Sequence, residues 1–321
     1  MMEIAGLVFP LFGLILLGYI AARITKQPEA AMGWLSTFII YVSLPCLFFK
    51  LLSQTPVEKL ASWDFIGINL LATFSVFVMV FGISRLTTKS TTPEATIQGL
   101  AGAYGNIGFM GPGIALLSFG ELAAVPLALI FCFENIMHFT LAPTLMAFAS
   151  GKASNIGGLI FEIGKKVLLH PFILATIVGV SAAIIGFTPP TPVERLIDYL
   201  AQAAAPCALF AMGVTLALRP LRRIPGELSF IIPFNLAIHP ILMYLALSWF
   251  GNFDPIWVYT AVLLAALPTA TNVFIIAQQY GVWIERASAT ILLSTMISVV
   301  TVSVLLYAMT SGLMPVDLFP G

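Results

Sequence analysis

Apolar runs of about twenty residues recur along almost the whole chain, separated by short polar connections. They fall at about 4–23, 33–52, 63–84, 94–118, 124–149, 167–187, 195–218, 229–250, 257–280 and 286–310. A helix crosses the ~30 Å hydrocarbon core with about 20 such residues. Lipid offers no partner to an unpaired backbone, so each run is expected to be helical. A membrane barrel would alternate apolar and polar residues over short segments, and these runs do not. The fold class expected is therefore an all-α integral membrane protein of ten transmembrane helices.

Composition agrees. The 321 residues are 60% hydrophobic and 9% charged, against about 25% charged in soluble domains. Fourteen basic residues balance fourteen acidic ones, which leaves no basic patch for nucleic acid. Cys46, Cys132 and Cys207 lie in apolar runs without metal-ligand spacing, and read as small buried hydrophobes. No N-x-[ST] acceptor marks a glycosylated loop. Glu3 precedes the first run, and Arg23 and Lys26 follow it. That order suits a retained first span better than a cleaved signal, whose basic residues precede a shorter core.

Basic residues also orient the chain. Eleven fall in the odd-numbered loops: Arg23, Lys26, Arg85, Lys89, Lys152, Lys165, Lys166, Arg219, Arg222, Arg223 and Arg286. Three, Lys50, Lys59 and Arg195, fall in even loops or span ends. The positive-inside rule then places the odd loops in the cytoplasm and both termini outside the cell membrane. Ser154–Lys166 spaces Ile156, Leu159, Ile160 and Ile163 helically and ends in two lysines. It reads as a short interfacial helix.

A weak repeat runs through the sequence. Pro10-Leu11-Phe12 matches Pro171-Phe172-Ile173, and Pro45-Cys46-Leu47-Phe48 matches Pro206-Cys207-Ala208-Leu209-Phe210, both 161 residues apart. Asn106 and Asn272 are 166 apart. Five spans is an odd number, so the second copy must be inverted, a plan common among secondary transporters. The expected organisation is a first five-helix repeat (1–150), a linker (151–166) and an inverted second repeat (167–321).

Two spans carry the chemistry. In the fourth, Gly105-Asn106-Ile107-Gly108-Phe109-Met110-Gly111-Pro112-Gly113 holds too much glycine and proline for a regular helix. In the ninth, Pro268 sits in Leu267-Pro268-Thr269-Ala270-Thr271-Asn272, whose polar side chains can satisfy the freed backbone. Each break exposes a half-helix N-terminus with unpaired N–H groups and a positive dipole end, which suits a carboxylate. The substrate-binding candidates are Gly105, Asn106, Gly108, Pro112, Pro268, Thr271 and Asn272. The simpler alternative is a pair of ordinary proline kinks.

The fifth span carries Glu134, Asn135 and His138. Glu134 and His138 are four apart and share a helix face, as candidates for binding a cation or relaying a proton. The alternative is a mutually satisfied packing pair. Asn235 and His239 repeat the spacing in the eighth span, where Pro240 favours a local packing role. Gln278 is a further coupling candidate beyond the ninth-span break. H+ and Na+ are the candidate coupling ions, with uniport as the alternative, and no catalytic motif, metal site or bound cofactor is expected.

The motifs Gly105–Gly108 with Gly111-Pro112-Gly113, Leu267 through Asn272, and Tyr41-Val42-Ser43-Leu44-Pro45 resemble those of the auxin efflux carrier family. That family belongs to the superfamily of bile-acid, arsenite and riboflavin transporters. The resemblance covers nearly the whole chain, and the short central loop is similar to bacterial members. It implies a scaffold of spans 1, 2, 6 and 7 and a mobile core of spans 3–5 and 8–10. Spans 4 and 9 would cross at their breaks, with Asn106 and Asn272 on the substrate. The function implied is a secondary carrier of a small organic anion in the bacterial inner membrane, with a homodimer as an open arrangement. The rivals are a sodium-coupled symporter of the bile-acid type and a channel or sensor on the same fold.

Overall fold

The computed structural model describes residues 2–150, 158, 161, 164–165, 168–218 and 224–318. The expected interfacial helix Ser154–Lys166 falls outside these residues apart from Gly158, Phe161, Gly164 and Lys165. Among the described residues every element is helical, and the β contact present is one isolated antiparallel bridge, Gly105 to Thr269.

In chain order the helices are α1 (Met2–Thr25), α2 (Gly33–Phe38), α3 (Leu44–Ser53), α4 (Val57–Leu60), α5 (Trp63–Thr87), α6 (Thr92–Ala103), α7 (Gly111–Phe119) and α8 (Ala124–Ala149). They continue with α9 (Pro171–Ile185), α10 (Thr191–Leu218), α11 (Leu228–Pro233), α12 (His239–Phe250), α13 (Pro255–Ala265), α14 (Thr271–Tyr280) and α15 (Ile284–Thr310). Six continuous stretches among the described residues are long and apolar enough to cross a membrane: Ala30–Ser53, Glu58–Thr87, Gly111–Ala149, Thr191–Leu218, Leu228–Phe250 and Ile284–Thr310. Phe9–Thr25, Pro171–Ile185 and Pro255–Ala265 are shorter apolar helices. Trp34, Ile24, Leu86 and Ile185 are exposed, as side chains facing lipid are. Together these features make the chain an all-helical integral membrane protein.

Local chemistry sets the helix ends. Thr91 and Glu94 close a capping box over α6, satisfying two orphan donors. Pro171 opens α9, and Gly186 ends it in the left-handed region. Asp254 accepts from the Ile256 N–H at 2.8 Å to start α13. Two π-helical turns, Ile39–Ser43 and Phe234–Ile238, lie just upstream of Pro45 and Pro240. A proline ring clashes with the carbonyl four residues back, and the wider π turn at that carbonyl makes room for it.

The described residues form two compact units. The first gathers the described residues of Met1–Trp63, Gly108–Cys132 and Leu168–Pro220. Within it α1 packs along α10, and α3 along α9. Glycines permit both approaches. A Cβ on Gly18 would lie 2.1 Å from the Phe210 carbonyl oxygen, and one on Gly213 would lie 1.9 Å from that of Ile15. A Cβ on Gly179 would meet Phe49 and Leu52. Gly18 and Gly179, Phe49 and Phe210, and Leu52 and Gly213 are each 161 residues apart. The approach of Gly18 to Phe210 thus has its counterpart in that of Gly179 to Phe49. Phe48, Phe131 and Phe172 pack together within this unit, with ring centroids 4.6 to 6.1 Å apart; Phe48 stacks on Phe131, and Phe172 meets Phe131 edge-on.

The second unit gathers the described residues of Asp64–Ile107, Phe133–Val167 and Leu221–Gly321. It holds α5, α6, the C-terminal part of α8, and α11 to α15. Arg286 pairs with Glu227 at 2.7 Å, and the Trp283 indole donates to the same carboxylate at 3.1 Å.

Candidate functional site

Both expected breaks are present, and both differ in detail from the sequence reading. The fourth-span interruption runs from Tyr104 to Met110, and Gly111-Pro112-Gly113 begins the new helix α7. Proline is at home in a first turn, where its missing N–H would be unpaired anyway. In the ninth span α13 ends at Ala265, ahead of Pro268, and α14 starts at Thr271.

In the second unit the two breaks are joined by backbone. The Asn106 N–H donates to the Pro268 carbonyl at 2.7 Å, and the Ala270 N–H donates to that of Tyr104 at 2.8 Å. Groups that an unbroken helix would satisfy internally are satisfied across the pair. Gly105 makes this possible, since a Cβ there would sit 3.0 Å from the Leu264 carbonyl oxygen. Thr269 adds a third tie: its hydroxyl donates to the Ala101 carbonyl at 2.7 Å. Its N–H donates to Ser294 Oγ of α15 at 3.2 Å.

Side chains extend the junction. Asn272 Nδ2 donates to the Tyr104 hydroxyl at 2.8 Å, and that hydroxyl donates in turn to Asn135 Oδ1. The Tyr104 ring stacks on His138, with centroids 4.1 Å apart and planes 17° from parallel. Asn106 is buried, and Asn272 is half-buried. Gly105, Asn106, Pro268 and Asn272 are therefore brought together, with Thr271 beside them at the start of α14.

Gly108 and Pro112 belong to the first unit. Gly108 lies against the Phe131 ring. Pro112 lines a cavity of about 420 Å³ with Gly113, Lys50, Glu121, Gln202 and Pro206. The rest of its wall is leucine and alanine with Gly120, and Lys50 pairs with Asp198 at 2.7 Å. That volume lies within the usual range of small-molecule pockets, about 300–1,000 Å³.

The coupling candidates separate. Glu134 and His138 are both buried, yet they do not pair with each other. Glu134 Oε1 accepts from the Thr73 hydroxyl of α5 at 2.8 Å. His138 spends its ring on Tyr104. Gln278 is exposed and outside the cluster. His239 was expected to pack locally, but its Nε2 lies 3.0 Å from the Thr73 oxygen. Thr73 and Tyr104 carry no motif and were missed. The signal that would have found Thr73 is the repeat itself, since Asn69/Asn235 and Thr73/His239 share the 166-residue offset of Asn106/Asn272.

Long exposed apolar helices, with two interrupted ones tied together at their interruptions beside a buried polar cluster, define a multi-pass membrane carrier. The model of the family described as membrane transport protein matches residues 4–147 and 156–306. The chain belongs to that family of auxin-efflux-carrier-like proteins, and it is a transporter rather than an enzyme. It is 62% identical over 320 residues, the full length of both chains, to a Rhizobium meliloti protein named "Putative malonate transporter". It is 26% identical over 313 residues to the uncharacterized transporter YfdV of Escherichia coli, covering 94% of this chain and 96% of that one. A rice protein named "Probable auxin efflux carrier component 9" is 28% identical over 174 residues, 51% of this chain and 40% of its own length.

Proposed function

We propose that this chain is a secondary carrier for a small dicarboxylate of malonate's class, working by alternating access across the bacterial inner membrane. Each broken helix counts as one span, so the chain has ten, arranged as two inverted five-helix repeats with both termini outside. Spans 4 and 9 cross at their breaks. Spans 1, 2, 6 and 7 serve as scaffold, and spans 3–5 and 8–10 as the moving core.

The observation that carries this reading is the reciprocal pair of backbone bonds between the breaks, Asn106 to Pro268 and Ala270 to Tyr104. It holds two interruptions at one place and leaves a fresh helix start after each. The start of α14, in the second unit beside the junction, presents N–H donors and a positive dipole end to an anion. The paired offsets support the repeats: 161 residues in the first unit and 166 in the second. The full-length relative named for malonate supports the substrate class. Gly105, Asn106, Pro268, Thr271 and Asn272 surround one carboxylate in this reading.

The test is counterflow of radiolabelled malonate in proteoliposomes. Saturable exchange into malonate-loaded vesicles is expected, and flux that neither saturates nor depends on internal malonate would mean a channel. Asn106→Ala and Asn272→Ala are expected to weaken malonate binding about 10- to 150-fold, from the roughly 1.5–3 kcal/mol of a hydrogen bond to a charged group. Unchanged exchange in both variants would place the anion elsewhere.

A further inference from the structure

Beside the junction, three buried side chains from three helices meet at one hydroxyl. Thr73 Oγ1 of α5 lies 2.8 Å from Glu134 Oε1 of α8 and 3.0 Å from His239 Nε2 of α12. Glu134 is 3% exposed, His239 1% and Thr73 not at all. A hydroxyl has one proton, so it donates to one neighbour while accepting from the other. With Glu134 ionised, Thr73 donates to the carboxylate and the imidazole donates Nε2–H to Thr73. With Glu134 protonated, the acid O–H donates to Thr73, which turns to donate to a bare Nε2, and the ring proton sits on Nδ1.

The second arrangement holds one proton more than the first with a neutral imidazole. It holds the same number as the first with an imidazolium. Two concerted hops interconvert those last two: Nε2–H to the Thr73 oxygen, and the Thr73 proton to the carboxylate. No other reactant is needed. The residues thus store one proton and can pass it between α8 and α12.

The surroundings suit a proton better than a metal ion. Among the described residues Glu134 is the only buried carboxylate, no buried lysine, arginine or aspartate opposes it, and no three ligating side chains come together. A hard cation wants several oxygens, whereas this site offers a carboxylate and a hydroxyl beside an imidazole. The ionisable groups facing it are His138 from α8 and Tyr104 from the fourth-span break. His239 Nδ1, both His138 nitrogens, both Asn69 amide atoms and Asn235 Nδ2 have no protein hydrogen-bond partner. Asn69, Asn235 and His138 lie one helical turn from Thr73, His239 and Glu134. Such buried polar atoms suit bound water, which typically makes about three hydrogen bonds.

Position ties this site to transport. Thr73 and His239 are equivalent positions at the 166-residue offset, so the hydroxyl comes from one repeat and the imidazole from the other. Asn135, next to Glu134, accepts from Tyr104, which accepts from Asn272. A change at Glu134 is thereby one residue and two hydrogen bonds from Asn272 of the candidate anion site.

Resting on the carrier reading above, we propose that Glu134, Thr73 and His239 form the coupling site of this transporter, which loads one proton with each substrate. Two measurements on the full-length protein in liposomes test it. The first needs no substrate: infrared difference spectra across a pH titration follow the protonated carboxyl band. The band is expected in the wild type, absent in Glu134→Gln, and restored to its wild-type midpoint in Thr73→Ser. In Thr73→Val and His239→Gln it should move by about one pH unit, a tenfold change in proton affinity. A midpoint indifferent to both substitutions overturns the proposal, and should one variant fail to fold, the other carries the comparison. The second is transport: Glu134→Gln and Thr73→Val should keep malonate–malonate exchange but lose acid-driven accumulation at least tenfold. Undiminished acid-driven accumulation in Glu134→Gln, or accumulation driven by sodium at fixed pH, refutes proton coupling here. Absence of malonate exchange in the wild type would refute the substrate reading alone, and the infrared result would still decide the proton site.

Discussion

Tyr104→Phe removes a single oxygen from the junction and leaves the rest of the side chain in place. The ring keeps its stack on His138, 4.1 Å between centroids. What is lost is the oxygen that accepts from Asn272 Nδ2 at 2.8 Å and donates to Asn135 Oδ1. Each neutral hydrogen bond is worth about 0.5–1.5 kcal/mol net, so the fold should lose roughly 1–3 kcal/mol. The functional loss is smaller. Asn272 Nδ2 has two hydrogens, one held by Tyr104 and one free to turn toward a carboxylate. Without the hydroxyl the amide must be ordered by the substrate itself, at the cost of one such bond. That corresponds to about 2- to 13-fold weaker binding. Titration calorimetry of malonate against the purified protein in nanodiscs reads this directly. Tyr104→Ala is the contrast. It also empties a buried aromatic site, which typically costs about 3–5 kcal/mol, so it should lower the unfolding temperature far more than Tyr104→Phe. Malonate binding that is unchanged or tighter in Tyr104→Phe would show that the hydroxyl competes with the substrate for Asn272 rather than orienting it, and the reasoning would fail.

Three further outcomes are expected. Gly213→Ala places a Cβ 1.9 Å from the Ile15 carbonyl oxygen; ordinary contacts of this kind are about 3.3 Å, so α1 and α10 must part by roughly 1.4 Å. Overpacking of this sort typically costs about 1–3 kcal/mol and should lower the detergent unfolding temperature, whereas Gly82→Ala, with open space around it, should not. An impermeant thiol reagent on intact cells should label Met2→Cys and Leu318→Cys but not Lys89→Cys; the reverse pattern would overturn the charge-based orientation. Lys50→Met leaves Asp198 without its partner at 2.7 Å and removes a cation from the cavity wall, so malonate exchange should slow; exchange at the wild-type rate would exclude that cavity from the path.

The sequence by itself determined the membrane class, the helical content and the place of the two interruptions. Those rest on local physics. Twenty apolar residues in a row have one stable environment, and glycine and proline disrupt a helix wherever they cluster. The extents of the breaks were less legible, because Pro112 reads as a breaker in sequence and serves as a helix starter in the structure. Tertiary structure alone decided which polar groups meet. Glu134 and His138 look like partners at a spacing of four, but Glu134 takes Thr73, 61 residues away, and Thr73 takes His239, 166 residues away. Tyr104 looks like one aromatic among many until its hydroxyl is seen between Asn272 and Asn135. In a span that is apolar all round, periodicity does not say which face turns inward. A threonine or a tyrosine acquires its role from the helix packed against it, and that partner is chosen by the fold.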